Sequence, residues 1–159
     1  MAAWRAGHVP AGAEVINSRE LSYLHPRVQD MAREFMAKCR AAGIELLITS
    51  TYRDAESQDA LYAQGRTSPG RIVTNARAGQ SWHNYGLAFD VVPLRAGKPV
   101  WGTTGADLGI WKQVGALGKA CGLEWAGEWV RFREYPHFQW AGGLTLADLQ
   151  AGKRPGDVA

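Results

Sequence analysis

The sequence predicts an α+β fold, a compact single domain whose small, mainly antiparallel sheet is flanked by helices. Three observations predict it. Two long segments carry apolar residues at helical spacing, several short β-branched or aromatic runs read as strands, and the two kinds mix without a regular βαβ rhythm. At 159 residues the chain is long enough for one well-packed core and too short for two.

Residues 21–42 read as an amphipathic helix. Leu24, Val28, Met31, Phe35 and Cys39 recur at helical spacing, while Arg27, Asp30, Arg33, Glu34 and Lys38 fill the other face. Gly43 suits the left-handed position that ends a helix. Residues 44–49 are short, β-branched and bounded by Gly and Ser/Thr, the pattern of a buried strand. Residues 54–64 fit a second helix with Asp54 as N-cap and Leu61 facing inward. Residues 65–80, rich in Gly, Ser, Thr, Pro and Arg, read as a long irregular loop beside a site. A strand follows at 87–92 and a shorter one at Val100-Trp101. Residues 108–121 carry Leu108, Trp111, Val114, Leu117 and Ala120 at helical spacing and end at Gly122. A last strand is expected at 137–140 and a short closing helix, capped by Thr145, at 145–149. The domain is expected to span 1–152, with 153–159 a flexible C-terminal tail.

Composition narrows the function classes. The hydrophobic share is 46% and the net charge +3, with 18 basic against 15 acidic residues. That mild excess suits an anionic partner, but the arginines are scattered and no basic cluster marks a nucleic-acid surface. No apolar run approaches the roughly 18 residues of a membrane span, so stable membrane insertion is not expected. The first ten residues lack the apolar run of a secretory signal, so synthesis in the cytoplasm is expected. Cys39 and Cys121 have no CxxC partner, which excludes a cysteine zinc cluster. Both sit in apolar helical contexts and are expected as buried thiols, a disulfide between them being left open.

Two histidines stand in informative surroundings, His83 in Ser81-Trp82-His83-Asn84-Tyr85-Gly86-Leu87-Ala88-Phe89-Asp90 and His137 in Glu134-Tyr135-Pro136-His137-Phe138-Gln139-Trp140. Strand alternation places Ala88 and Asp90 on one face and Leu87, Phe89 and Val91 on the other. Gly86 lets the preceding loop turn so that His83 reaches the point Asp90 faces. Two neutral imidazoles and one carboxylate fill three positions of a tetrahedral zinc site and leave the fourth for water, the arrangement of a catalytic site. Such a metal activates water and polarises a carbonyl. Glu134 is placed to act as base, and Arg53, after the 44–49 strand, to stabilise an oxyanion. His8 and His25 read as structural.

At these residues the sequence resembles the zinc peptidases that include D-alanyl-D-alanine carboxypeptidases and dipeptidases and the L-alanyl-D-glutamate endopeptidases of phage endolysins. Ser81, His83, Gly86, Ala88 and Asp90 match every position of the motif Ser-x-His-x-x-Gly-x-Ala-x-Asp. Glu134, Pro136, His137 and Phe138 match the second motif, and Tyr52-Arg53 a Tyr-Arg pair after an apolar strand. The resemblance implies a hedgehog/DD-peptidase-like α+β fold and a Zn2+ ion held by His83, Asp90 and His137. It also implies Glu134 as base, Arg53 holding substrate and transition state, and Ser81 near the bound peptide. Trp125-Ala126-Gly127-Glu128-Trp129 resembles the Trp-Gly-Gly-Asp-Trp of the endopeptidase branch, with Ala126 and Glu128 departing from it, and points to Trp129 as a substrate contact. The expectation is a monomeric endolysin that cleaves the L-alanyl-D-glutamate bond of the bacterial peptidoglycan stem peptide after the membrane is breached. A D-alanyl-D-alanine carboxypeptidase is the alternative, with Arg66, Arg71 or Arg77 binding a terminal carboxylate. A non-catalytic wall-binding module with a structural zinc is the second.

Overall fold

The computed structural model describes residues 16–156, and His8 lies outside them. The expected α+β domain is present. The main elements are helix α1 (Pro26–Ala41), strand β1 (Glu45–Ser50), helix α2 (Ala55–Ala63), strands β2 (Ala88–Arg95) and β3 (Lys98–Pro99), helix α3 (Gly105–Ala120), strands β4 (Glu124–Trp125) and β5 (His137–Gln139), and helix α4 (Leu146–Gln150).

Every strand pairing is antiparallel, in the order β1-β2-β5-β4, with β3 returning on β2. Helix α1 lays Val28, Met31, Ala32, Phe35 and Cys39 on the core. Phe35 meets Phe138 at 4.7 Å and Phe89 at 6.2 Å between ring centroids, and such tilted aromatic pairs add to the burial of their area. The predicted alternation of β2 holds. Phe89 points into this core, and Asp90 points away from it. Both cysteines are buried and free, and burial, with the neighbouring Cys121, pushes the Cys39 thiol up to about 12.

Several boundaries differ from expectation, each for a local reason. The predicted helix 21–42 is broken into a single 3-10 turn (Leu21–Tyr23) and α1. Pro26 disfavours helical geometry at the residue before it, so His25 is extended and caps α1, its Nδ1 accepting from Arg27 N–H at 3.1 Å. The strand expected at Val100-Trp101 lies at Lys98–Pro99 instead. Ala96 and Gly97 have φ of 52° and 75°, so the chain makes a tight two-residue turn with both φ positive, whose hand suits a hairpin, and pairing starts at once. In α3 the buried stripe runs through Trp111, Val114, Gly115 and Gly118, not through Leu108 and Ala120. The two-residue strand β4 is too short to carry a periodic signal. Past Gly152, Lys153 N–H donates to Asp148 C=O at 2.9 Å, Arg154 Nη1 donates to Leu149 C=O at 2.9 Å, and Pro155 is buried. Residues 153–155 are therefore packed on the domain, and 157–159 lie outside the described residues.

Candidate active site

The sheet register brings the predicted residues together. Asp90 of β2 lies directly opposite His137 of β5. On its other side Asp90 faces Ser50 of β1, beside a register shift between Ile48 and Ser50. Such bulges bend a strand and re-aim its side chains.

His83 arrives on a 3-10 turn (Trp82–Tyr85), where the sequence predicts only a loop. Ser81 caps this turn, its hydroxyl accepting from His83 N–H at 3.3 Å, and Asn84 reaches back to Ser81 N–H at 3.2 Å. Gly86 ends it in the left-handed region with φ 68°, where a side chain is penalised. Both ends of the turn are thus fixed by local chemistry, and His83 is held between them.

Asp90 Oδ1 lies 3.2 Å from His83 Nε2 and 3.2 Å from His137 Nδ1. The three ligand atoms all fall within 4.8 Å of one another, the one such His/Cys/Asp/Glu group among the described residues. Each imidazole has its remaining nitrogen committed. His83 Nδ1 is 2.7 Å from the Thr51 carbonyl, and His137 Nε2 is 2.8 Å from Gln139 Oε1. Because these acceptors take an N–H, the nitrogens facing Asp90 are left with lone pairs. Histidine ligands of metal ions are oriented by the same device, and two imidazoles and a carboxylate are a suitable donor set for a divalent cation. Burial alone would raise the Asp90 carboxyl, but with the two imidazoles protonated rather than neutral, their charge and hydrogen bonds hold it well below the usual carboxylate range.

The other predicted residues surround this point. A cleft of about 1110 Å³ is lined by Arg53, Ser81, His83, Asp90, Trp129, Glu134 and His137 among others, so it contains every residue that the endopeptidase reading of the sequence singled out. Glu134 comes off the turn before β5, with Oε2 3.7 Å from His137 Nδ1 and its side chain 54% exposed, open to whatever occupies the cleft. The Trp129 ring is 5.8 Å from the His137 ring.

Arg53 follows β1, where residues 16–18 pair with 51–54 through Ser18 N–H to Tyr52 C=O at 2.8 Å and Thr51 N–H to Ser18 C=O at 2.7 Å. Its Nη1 donates to Gln58 Oε1 at 2.9 Å and its Nη2 to Ser50 Oγ at 3.2 Å. Among the described residues, its Nε is the buried side-chain polar atom without a hydrogen-bond partner. Burial pulls the guanidinium down from its ordinary value, against the opposing charges of Asp90 and Glu134.

Five polar residues that support the site were not found from the sequence: Ser50, Thr51, Gln58, Glu124 and Gln139. The Thr51 contact is through its main chain and leaves no mark on residue type. Gln139 had a signal, since strand alternation puts it on the same face as His137.

A His-Asp-His cluster with buried imidazoles, opening on a cleft with an exposed carboxylate and a buried guanidinium, is the arrangement of a metallopeptidase-type site on an antiparallel α+β scaffold. A family model described as D-alanyl-D-alanine carboxypeptidase matches residues 74–140. The peptidoglycan L-alanyl-D-glutamate endopeptidase CwlK of Bacillus subtilis is 42% identical over 123 residues, covering 74% of this chain and 74% of that protein. An L-alanyl-D-glutamate peptidase of a Listeria phage is 33% identical over 108 residues, 68% of this chain and 34% of that protein. Among solved structures, the L-Ala D-Glu endopeptidase ChiX of Serratia marcescens superposes with TM-score 0.55 at 24% identity, covering 81% of this chain and 86% of that one, a likeness of fold. The chain belongs to this family of zinc metallopeptidases.

Proposed function

We propose that the chain hydrolyses the L-alanyl-D-glutamate bond of the peptidoglycan stem peptide, with zinc held by His83, Asp90 and His137. The observation that carries the reading is the open side of the His-Asp-His cluster, where Glu134 and Arg53 share one cleft with three metal-ligating atoms. The endopeptidase named in Bacillus subtilis, similar over most of both chains, supports the choice of bond, and the phage origin of the second relative supports a role in host lysis.

When bound, zinc supplies Lewis-acid polarisation of the scissile carbonyl and makes water acidic enough to lose a proton near neutral pH. Glu134 takes that proton on its carboxylate and hands it to the departing amine nitrogen, acting first as general base and then as general acid. Arg53, already fixed by Gln58 and Ser50 and lining the same cleft, supplies a positive charge and guanidinium donors to the carbonyl oxygen as it gains charge. Preorganised donors of this kind stabilise the transition state because they need not reorient. Trp129 forms an apolar wall beside His137 and limits water around the reacting bond.

The carboxypeptidase alternative offers Arg66, Arg71 or Arg77 of the 65–80 loop as candidates to bind a terminal carboxylate. Arg66, Arg71 and Arg77 are all absent from the cleft lining. Arg66 donates to Tyr62 C=O at the end of α2 and to Thr74 C=O and Asn75 Oδ1 in the loop, and Arg77 stacks on Tyr62. An internal bond is the better substrate for such a cleft. The wall-binding module is disfavoured because binding alone has no need of an exposed carboxylate beside the cluster. As part of the same lytic role, we propose that the protein is made in the cytoplasm and reaches the wall once the membrane is breached.

The test is a digest of purified peptidoglycan by zinc-loaded parent and by the Glu134→Ala variant, read by mass spectrometry. New peptides with N-terminal D-glutamate from the parent alone are expected, with zinc affinity retained in the variant. Released D-alanine would assign the carboxypeptidase reaction, and zinc binding without any product would leave a binding module.

A further inference from the structure

Resting on the proposed metal site, we propose that Gln139, oriented by Glu124, is a positioning residue that decides which nitrogen of His137 faces the metal. A glutamine amide can turn either its oxygen or its NH2 toward a neighbour, and either end could pair with an imidazole. Here the choice is forced from outside. Glu124 on β4 is the direct cross-strand partner of Gln139 on β5, and Gln139 Nε2 donates to Glu124 Oε2 at 3.2 Å. An ionised carboxylate only accepts hydrogen bonds, so it claims the NH2 end. The amide oxygen is left 2.8 Å from His137 Nε2. That oxygen only accepts, so Nε2 carries the proton and Nδ1 keeps its lone pair, 3.2 Å from Asp90 Oδ1.

His83 makes the opposite choice by a different route. Its Nδ1 faces the Thr51 carbonyl at 2.7 Å, an acceptor supplied by the main chain, and its Nε2 faces Asp90. The cluster therefore needs its two imidazoles in opposite tautomers. One is written into the backbone, and the other depends on two side chains. Gln139 is only 5% exposed, so water offers little replacement if its oxygen is lost. Loss of the acceptor leaves His137 either with a buried unpaired N–H or free to move its proton onto Nδ1, where it blocks the metal position.

The experiment is a zinc competition titration against a chromophoric chelator on the parent, Gln139→Met, Glu124→Ala and the exchanged double variant Glu124→Gln with Gln139→Glu. Methionine keeps the length of the side chain and removes the acceptor, and roughly 10–100-fold weaker zinc binding is expected, the range for loss of such outer partners. Glu124 is an exposed strand residue, so its alanine variant folds even where Gln139→Met does not. A loss of about threefold or more is expected there, because the amide is free to flip. In the exchanged variant the new amide on β4 donates to the new carboxylate on β5, and that carboxylate accepts from His137. Binding should then return to within about threefold of the parent. Nitrogen chemical shifts of His137 in the zinc-loaded parent should identify Nδ1 as the coordinated atom. Parental affinity in both single variants would overturn the proposal, as would an exchanged variant as weak as Gln139→Met while its metal-free melting temperature is unchanged. A parent that binds no zinc would instead overturn the metal site itself.

Discussion

Arg53 is held in place by a residue with no chemical role of its own. Gln58 is fully buried on α2, and its two ends are both used, Oε1 toward Arg53 Nη1 at 2.9 Å and Nε2 toward the Ala76 carbonyl at 2.7 Å. It joins the Arg53 guanidinium to the loop that borders the cleft. Gln58→Met keeps the volume and strands both partners. Leaving a charged donor and a buried carbonyl unsatisfied is expected to lower the unfolding free energy by about 2–3 kcal/mol, measured by urea denaturation. Hydrolysis should fall further than zinc affinity, because Arg53 and not the metal cluster loses its support. Arg53 was legible in the sequence because a Tyr-Arg pair after an apolar strand is a pattern. Gln58 was not, since α2 has no apolar stripe to say which of its polar residues turns inward.

At the scale of the element, α3 shows how glycine can serve a helix it intrinsically weakens. Gly115 and Gly118 are buried, and a Cβ on Gly115 would collide with the Trp125 ring, as one on Gly118 would with Phe138. These positions let α3 close on the sheet behind the site. In an open helix position, Gly→Ala gains about 1 kcal/mol from propensity. Gly109 on the same helix has nothing within 4 Å of such a Cβ, so Gly109→Ala should stabilise by up to about that amount. Gly115→Ala should instead lose about 1–3 kcal/mol net, because overpacking displaces a ring that cannot move freely. Thermal denaturation of the two variants side by side isolates the packing effect from propensity. The general run of α1, β1, α2, β2 and α3 was readable from periodicity and caps. Their inner faces were less so, since a stripe of small residues carries little hydrophobic signal.

The molecule as a whole assembles its His-Asp-His cluster from β2, β5 and the turn before β2, so binding of zinc at the proposed site should be linked to folding. A ligand that binds only the native state stabilises it by mass action, about 4 kcal/mol at a thousand times its dissociation constant. For a domain of this size each kcal/mol moves the melting temperature by about 2–4 °C. Saturating zinc is therefore expected to raise it by about 8–16 °C and a chelator to reverse the shift. His137→Ala should abolish that response, whereas Glu134→Ala should keep it, a contrast readable by differential scanning fluorimetry.

By itself the sequence determined the fold class, singled out His83, Asp90, His137, Glu134 and Arg53 as candidate site residues, and marked Gly86 as the turn that brings His83 back toward Asp90. These are local matters: residue type, spacing along one strand or helix, and the dihedral preferences of Gly and Pro act over a few neighbours and so are written in order along the chain. Only the tertiary structure decided that Asp90 stands opposite His137, that Arg66, Arg71 and Arg77 stay out of the cleft, and that Gln139 and Glu124 set the proton on an imidazole. Those depend on sheet register and on which donor meets which acceptor across strands. A shift of one residue would turn every such side chain to the other face, and that register is fixed by the packing of the whole core.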